Sequence, residues 1–326
     1  MSVNEKSSKS ATTVNLGIEI AGVRFANPIF VASGTFGYGS EAARFCDISG
    51  IGAIVTKSVS WNPRPGNFPR RIVETPSGML NSIGLANVGV DAFVTEKLPY
   101  LAEFDTKIIA NIAASSVGEY CSVLEKIEAN ATGNLVGYEI NVSCPNVKDG
   151  GLSFGTNVGM VEEVVRALRP LTKKLLAIKL TPNVTSVAPF AQACEDCGAD
   201  AISLINTVVG MSVDIRTKRP RLSTVTGGLS GPAIRPIAIA KVYEARKATK
   251  LPIIGIGGIA TASDAMEFFI VGASAVQIGT MNFVHPDASI RVRDELTQLL
   301  TSQGCSSMKD VIGTLEVSGE MRSLGW

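Results

Sequence analysis

Eight short apolar runs, rich in β-branched residues, recur along the 326-residue chain. They are IFVAS (29–33), AIVTKS (53–58), IIANIA (108–113), YEINVS (138–143), LLAIKLT (175–181), AISLINT (201–207), PIIGIGG (252–258) and AVQIGT (275–280). Runs that are apolar throughout, rather than at alternate positions, suit strands of a parallel sheet covered on both faces. Amphipathic stretches lie between several of them. Residues 158–174 place Val161, Val164, Val165 and Leu168 on one helical face and Glu162 and Glu163 on the other. Residues 186–200 form a second such stretch, with Gly198 at its end, and residues 261–274 a third, stopped by Gly272. Eight βα repeats without a break in composition predict an α/β fold of the (β/α)8 TIM-barrel type, with a doubly wound open sheet as the alternative. Two gaps, 59–107 and 208–251, are far longer than a simple crossover. Insertions of that size after barrel strands build active-site lids. The expected organisation is a flexible polar tail (1–13), a single barrel domain (14–315) and a C-terminal tail (316–326).

Barrel chemistry sits at the C-terminal ends of the strands. The runs end in Ser33-Gly34, Lys57-Ser58, Asn111, Asn141, Lys179, Asn206-Thr207, Gly257-Gly258 and Gly279-Thr280. Two lysines and three asparagines among these ends point to an anionic ligand rich in hydrogen-bonding groups. The small residues closing the last two runs let backbone N–H groups approach a phosphate, the usual phosphate position of a barrel. GIGGIA (255–260) also fits the dinucleotide fingerprint, but the next run ends in Gly279-Thr280 where an acidic residue is required.

Composition narrows the chemistry. A formal net charge of +1 gives no reason to expect nucleic acid or an anionic membrane as a partner, and no apolar run reaches the length of a membrane span. Residues 1–13 lack the apolar core of a signal peptide, so a cytoplasmic protein with free thiols is expected. One histidine, His285, stands before Pro286 and reads as a plain loop residue, which leaves Ser-His-Asp chemistry and His-rich metal sites without a basis. No metal site is expected. Cys194 and Cys197 form a C-x-x-C inside a predicted helix and read as packing residues. Asn141-Val-Ser143 matches a glycosylation sequon by coincidence.

Cys144 begins the loop after the fourth run, in EINVSCPNVKDGG (139–151), among amides and hydroxyls rather than apolar neighbours. A thiol with an ordinary pKa near 8.5 can serve as a general base when its surroundings help it ionise. The proline and glycines that follow suit a loop that closes over a ligand. A thiol base, a phosphate site and a lysine at the end of the fifth run together suit a flavin mononucleotide (FMN) enzyme, with Lys179 stabilising negative charge on the reduced ring.

The sequence resembles the soluble class 1 dihydroorotate dehydrogenases, from about residue 14 to 315. The resemblance rests on NPIFVASGTFGYG, GNFPRRIVETPSGMLNSIGLANVG, EINVSCPNVKDGG, AIKLTPNV, LINTVVG, TGGLSGPAIRP and IIGIGGI. PRPGNFPR, CPNVKDGG and LSGPAIRP are similar to the class 1B branch, whose members pair with a subunit carrying FAD and a 2Fe-2S cluster and pass electrons to NAD. The resemblance implies oxidation of dihydroorotate to orotate in pyrimidine biosynthesis, a homodimer, and a heterotetramer with that partner. It implies that Ser33, Lys57, Ser58, Asn111, Asn141, Lys179, Ile205, Gly231, Gly257, Gly258, Gly279 and Thr280 hold FMN. Lys57, Asn81, Ser82, Ile83, Gly84, Leu85, Asn141, Asn206 and Thr207 would hold the substrate, with Cys144 as base.

Ala114 stands where the branch implies glycine, and its methyl is expected to crowd the flavin loop slightly. The final MRSLGW is unaccounted for, and any iron–sulfur centre must belong to a partner. Competing readings are a class 1A-like enzyme that reduces fumarate, a dihydropyrimidine dehydrogenase-like subunit, and a flavin-free phosphosugar isomerase or lyase on the same barrel.

Overall fold

Helices cover the sheet on its outer side and side chains fill it on its inner side, so both faces of every central strand are buried. The computed structural model that shows this describes residues 14–143 and 154–317. The chain opens with an antiparallel hairpin, β1 (Ile18–Ile20) and β2 (Val23–Phe25). Its two turn residues, Ala21 and Gly22, both have positive φ, as a tight hairpin of this twist requires. The eight predicted runs then supply the barrel strands: β3 (Ile29–Val31), β4 (Ala53–Val55), β7 (Lys107–Ile112), β8 (Leu135–Asn141), β9 (Leu175–Lys179), β10 (Ala201–Leu204), β15 (Ile253–Ile256) and β16 (Ala275–Ile278). They close in chain order, every neighbour parallel, with β16 returning to β3. The open doubly wound sheet is thereby excluded.

The predicted helices form slightly inside their expected limits, at Val158–Leu168, Ala188–Asp196 and Ala262–Ile270. A capping box starts the last of these: Thr261 Oγ1 accepts from the Asp264 N–H, and the Asp264 carboxylate accepts from the Thr261 N–H. Val161, Val164, Val165 and Leu168 are buried against the barrel, as their spacing predicts. Gly198 and Gly272 end their helices at φ +88° and +108°. Cys194 and Cys197 are free and buried, and burial pushes the Cys194 thiol up.

The two insertions make a second sheet above the barrel. Its strands are β5 (Ile72–Thr75), β6 (Gly78–Asn81), β11 (Val208–Gly210) and β14 (Gly227–Ser230), ordered β11-β14-β6-β5 and antiparallel throughout. A small hairpin, β12 (Val213–Asp214) and β13 (Arg219–Pro220), projects from the second insertion. The insertions also carry helix, over residues 89–101 and at Arg235–Ala248.

The barrel interior is divided by height. Its lower part is an apolar cluster of Phe30, Ala53, Val55, Ile109, Leu175, Ala177, Ala201, Ile254 and Ala275, closed from below by Ile20 and Phe25 of the hairpin. The Phe25 and Phe30 rings meet with centroids 4.8 Å apart. One inward position further along the strands, Ile109 gives way to Asn111, Ala177 to Lys179, Ala201 to Ser203 and Ala275 to Gln277. Each of these four polar residues is buried.

Candidate active site

The upper layer of the interior is organised on Glu139, a carboxylate only 1% exposed on β8. Its Oε1 accepts from Asn111 Nδ2 at 2.7 Å and from Lys179 Nζ at 3.4 Å. Its Oε2 accepts from Gln277 Nε2 at 2.6 Å and from Ser203 Oγ at 2.8 Å. Four donors from four other strands satisfy a carboxylate that burial without partners would make very costly. The network runs outward from there. Lys179 Nζ also donates to Ser33 Oγ at 3.4 Å, and Ser58 Oγ donates to Asn111 Oδ1 at 2.6 Å. The predicted residues Ser33, Ser58, Asn111 and Lys179 are thus one connected group. Beside Ser58, burial pushes the Tyr38 phenol up to about 12, so it stays a neutral donor to the Ser58 carbonyl. The Lys57 side chain is half-buried and pairs with no carboxylate among the described residues.

A second group lies at the mouth. Asn206 Nδ2 donates to Asn141 Oδ1 at 3.2 Å and to Ser143 Oγ at 2.9 Å. Asn141 Oδ1 also accepts from the Ser143 N–H, which fixes the turn leaving β8. Cys144 follows directly on Ser143 in sequence and lies outside the described residues.

The third group is a backbone cradle. Gly231, Gly257 and Gly258 have φ of +94°, +135° and +73°, conformations that L side chains rarely adopt. A Cβ on Gly258 would stand 2.8 Å from the Gly231 carbonyl oxygen and from Arg235 Cβ, so the two segments touch through glycine alone. Among the described residues no carbonyl takes the N–H of Gly257, Gly258, Gly279 or Thr280. The helix Arg235–Ala248 begins just after Gly231 and adds the positive end of its dipole. Thr280 Oγ1 donates to Ser230 Oγ at 2.8 Å, tying β14 to this cradle. Ile205 packs against it, 3.5 Å from where a Gly257 Cβ would be.

The second sheet carries the remaining predicted residues. Asn81, at the end of β6, donates through Nδ2 to the Gly228 carbonyl at 3.1 Å. Gly228 leaves no room for a side chain, because a Cβ would fall 2.1 Å from Thr207 Oγ1. Ser82 Oγ accepts from Asn67 Nδ2 and from Thr224 Oγ1. Gly84 and Leu85 both take positive φ, 74° and 55°, in the turn that follows. β14 therefore touches the cradle at Ser230 and the Asn81–Thr207 group at Gly228.

Several of these residues were not anticipated: Glu139, Ser203 and Gln277 in the interior, and Ser143 and Ser230 at the mouth. The signal for the first three is present in the sequence, as lone polar residues at inward positions of otherwise apolar strands. Ala114 is buried in the main apolar core, with Ile112 and Tyr120.

A lysine and asparagines thus lie above an apolar floor, with a glycine cradle to one side. The family model described as dihydroorotate dehydrogenase matches residues 15–300. A protein of Geobacter sp. (strain M21), named dihydroorotate dehydrogenase B (NAD(+)), catalytic subunit, is 49% identical over 303 residues, covering 93% of this chain and 99% of its own length. The protein of the same name from Geotalea uraniireducens (strain Rf4) is 50% identical over 301 residues, covering 92% and 98%. That of Trichlorobacter lovleyi (strain ATCC BAA-1151 / DSM 17278 / SZ) is 48% identical over 301 residues, again covering 92% and 98%. With a match that spans the whole barrel and both insertions, this chain belongs to the dihydroorotate dehydrogenase family.

Proposed function

We propose that this chain is the FMN-bearing catalytic subunit of a dihydroorotate dehydrogenase, oxidising dihydroorotate to orotate in pyrimidine synthesis and delivering the electrons to NAD through a second subunit. The observation that carries this reading is the convergence of a buried, carboxylate-held Lys179 with the glycine cradle of Gly231, Gly257 and Gly258 at one barrel mouth. The named relatives favour NAD over fumarate as the final acceptor.

The residues fit the cofactor. The N–H groups of Gly257, Gly258, Gly279 and Thr280, which no carbonyl takes among the described residues, suit a phosphate, and the positive φ of the first two lets the backbone approach it closely. Lys179, Asn111, Ser33, Ser58 and Asn141 would face the ring system, with Ile205 as an apolar wall and Lys57 shared with the substrate. Bound FMN supplies the hydride acceptor for C6 of dihydroorotate. Asn141, Asn206, Asn81 and Thr207, with the 82–85 turn and Lys57, hold the substrate's amide and carboxylate groups and fix the ring orientation. Cys144, as thiolate, takes the C5 proton. Lys179 places a fixed positive charge where negative charge gathers, without needing to reorganise. The partner carries FAD and a 2Fe-2S cluster, this chain pairs with itself as well, and the assembly is cytoplasmic.

Adding dihydroorotate to the purified yellow chain without oxygen tests the reading. Bleaching of the flavin band is expected. A yellow chain that does not bleach, even with its partner present, would refute the substrate. A colourless chain that cannot be reconstituted with FMN would refute the cofactor. Rapid fumarate reduction by the chain alone would replace the NAD route.

A further inference from the structure

We propose that Glu139 is a positioning residue for the redox chemistry: it holds Lys179 toward the cofactor and offsets part of its charge, so that it sets the reduction potential of the bound flavin. The inference rests on the FMN reading above.

The two carboxylate oxygens are used differently. Oε2 is taken by Ser203 and Gln277, whose Oγ and Nε2 donate to it. Oε1 is left to Lys179 and Asn111, both residues of the proposed flavin group. One oxygen anchors the side chain and the other presents the charge. Lys179 is then fixed between Glu139 and Ser33, with its Nζ 3.4 Å from each acceptor.

Stability gives no reason for this arrangement. The layer below is wholly apolar, and a buried ion pair is often replaced by well-packed apolar side chains at no loss. Four polar side chains from different strands converge on one carboxylate although the interior could have been filled by alanine and isoleucine, as it is one layer down. The carboxylate has a direct electrostatic consequence: a lone buried lysine would favour the reduced, more negative flavin more strongly than a lysine paired with Glu139 does.

The test is the midpoint potential of the FMN-loaded chain, read by anaerobic equilibration with a redox dye. Glu139→Gln keeps the shape and removes the charge. The expected result is a rise in the reduced-to-oxidised flavin ratio of tenfold or more at fixed dye potential, about 30 mV for a two-electron couple. A smaller rise, no change or a fall in a yellow, folded variant overturns the proposal. If Glu139→Gln does not accumulate, the double variant Glu139→Gln/Lys179→Met is measured, since it removes both charges and leaves none uncompensated. Because Glu139 offsets only part of the Lys179 charge, the folded double variant is expected to show a lower ratio than the parent and a higher one than Lys179→Met, in which the Glu139 charge remains. A double variant no higher than Lys179→Met, or one that does not fold, overturns the proposal and leaves Glu139 as a structural hub. A parent chain that takes up no FMN would sink the flavin reading and this proposal with it. A yellow parent with an unmoved variant sinks this proposal alone.

Discussion

Replacing Gly258 by alanine tests the cradle most directly. Gly258 holds φ +73°, and placing an L residue in that region costs about 1–2 kcal/mol. The new methyl would also stand 2.8 Å from the Gly231 carbonyl oxygen, 2.8 Å from Arg235 Cβ and 2.9 Å from Arg235 N. Two of those three atoms are backbone, so no side chain can swing aside to relieve the contact. A combined cost of about 2 kcal/mol or more follows, a factor of about 30 in an equilibrium. The protein can meet it in two ways. If the frame holds, the apoprotein loses stability, by about 4 °C or more in Tm at the usual 2–4 °C per kcal/mol for chains of this order. If the cradle opens, the Kd for FMN rises by about 30-fold instead. Calorimetry of the apoprotein and fluorescence titration with FMN separate the two. Gly118→Ala is the control: it lies in the helix Val117–Glu128 with nothing within 4 Å of its added Cβ. It should be neutral or stabilising by about 0.5–1 kcal/mol. A Gly258→Ala chain with unchanged Tm and unchanged FMN affinity would refute the cradle assignment.

Other substitutions probe other parts of the molecule. Cys144→Ser should keep FMN bound and slow reductive bleaching by dihydroorotate by about 10² or more near neutral pH, and parent-like rates would remove the thiol from the mechanism. Phe30→Ala should cost about 3–5 kcal/mol in chemical denaturation while leaving KM for dihydroorotate near the parent value, because Phe30 lies in the apolar floor. Thr249→Val tests a pH linkage at a buried hydroxyl. The Thr249 hydroxyl, 2.5 Å from Glu195 Oε2, is the main cause holding the Glu195 carboxyl below its ordinary 4.5. A depressed carboxyl stabilises the fold above the unfolded-state pKa and loses that contribution as pH falls through the folded value. The parent's advantage over Thr249→Val should therefore be full above about pH 4.5 and shrink on further acidification. An advantage that grows toward low pH would reverse the assigned sign.

The barrel was legible because its strands are apolar on both faces, a pattern that few other elements share. The ends of the strands were legible for a related reason: polar residues there have no structural need. The second sheet was not. β5, β6, β11 and β14 are three or four residues long and half exposed, and the pairing that joins the two insertions, β6 with β14, spans about 150 residues of chain, so no local period marks it. Pro76-Ser77-Gly78 does signal the turn between β5 and β6, but a turn alone does not name its partner strand. Glu139 was missed for a different reason. Attention to strand ends passes over a residue two positions earlier, and inside YEINVS the carboxylate is easily taken for a surface residue of a strand whose other side is buried. Closure of the barrel is what turns it inward.

The hairpin that seals the barrel floor divides the molecule's freedom to change over evolutionary time. Below, Ile20, Phe25 and Phe30 need only fill a volume, and apolar exchanges that conserve it are tolerated at modest cost. Above, Glu139, Lys179, Asn111, Ser203 and Gln277 share hydrogen bonds to one carboxylate, so a change in any one strands another's donor or charge. Sequence drift should therefore be able to remodel the floor residue by residue, while the layer above it can move only through coordinated replacements.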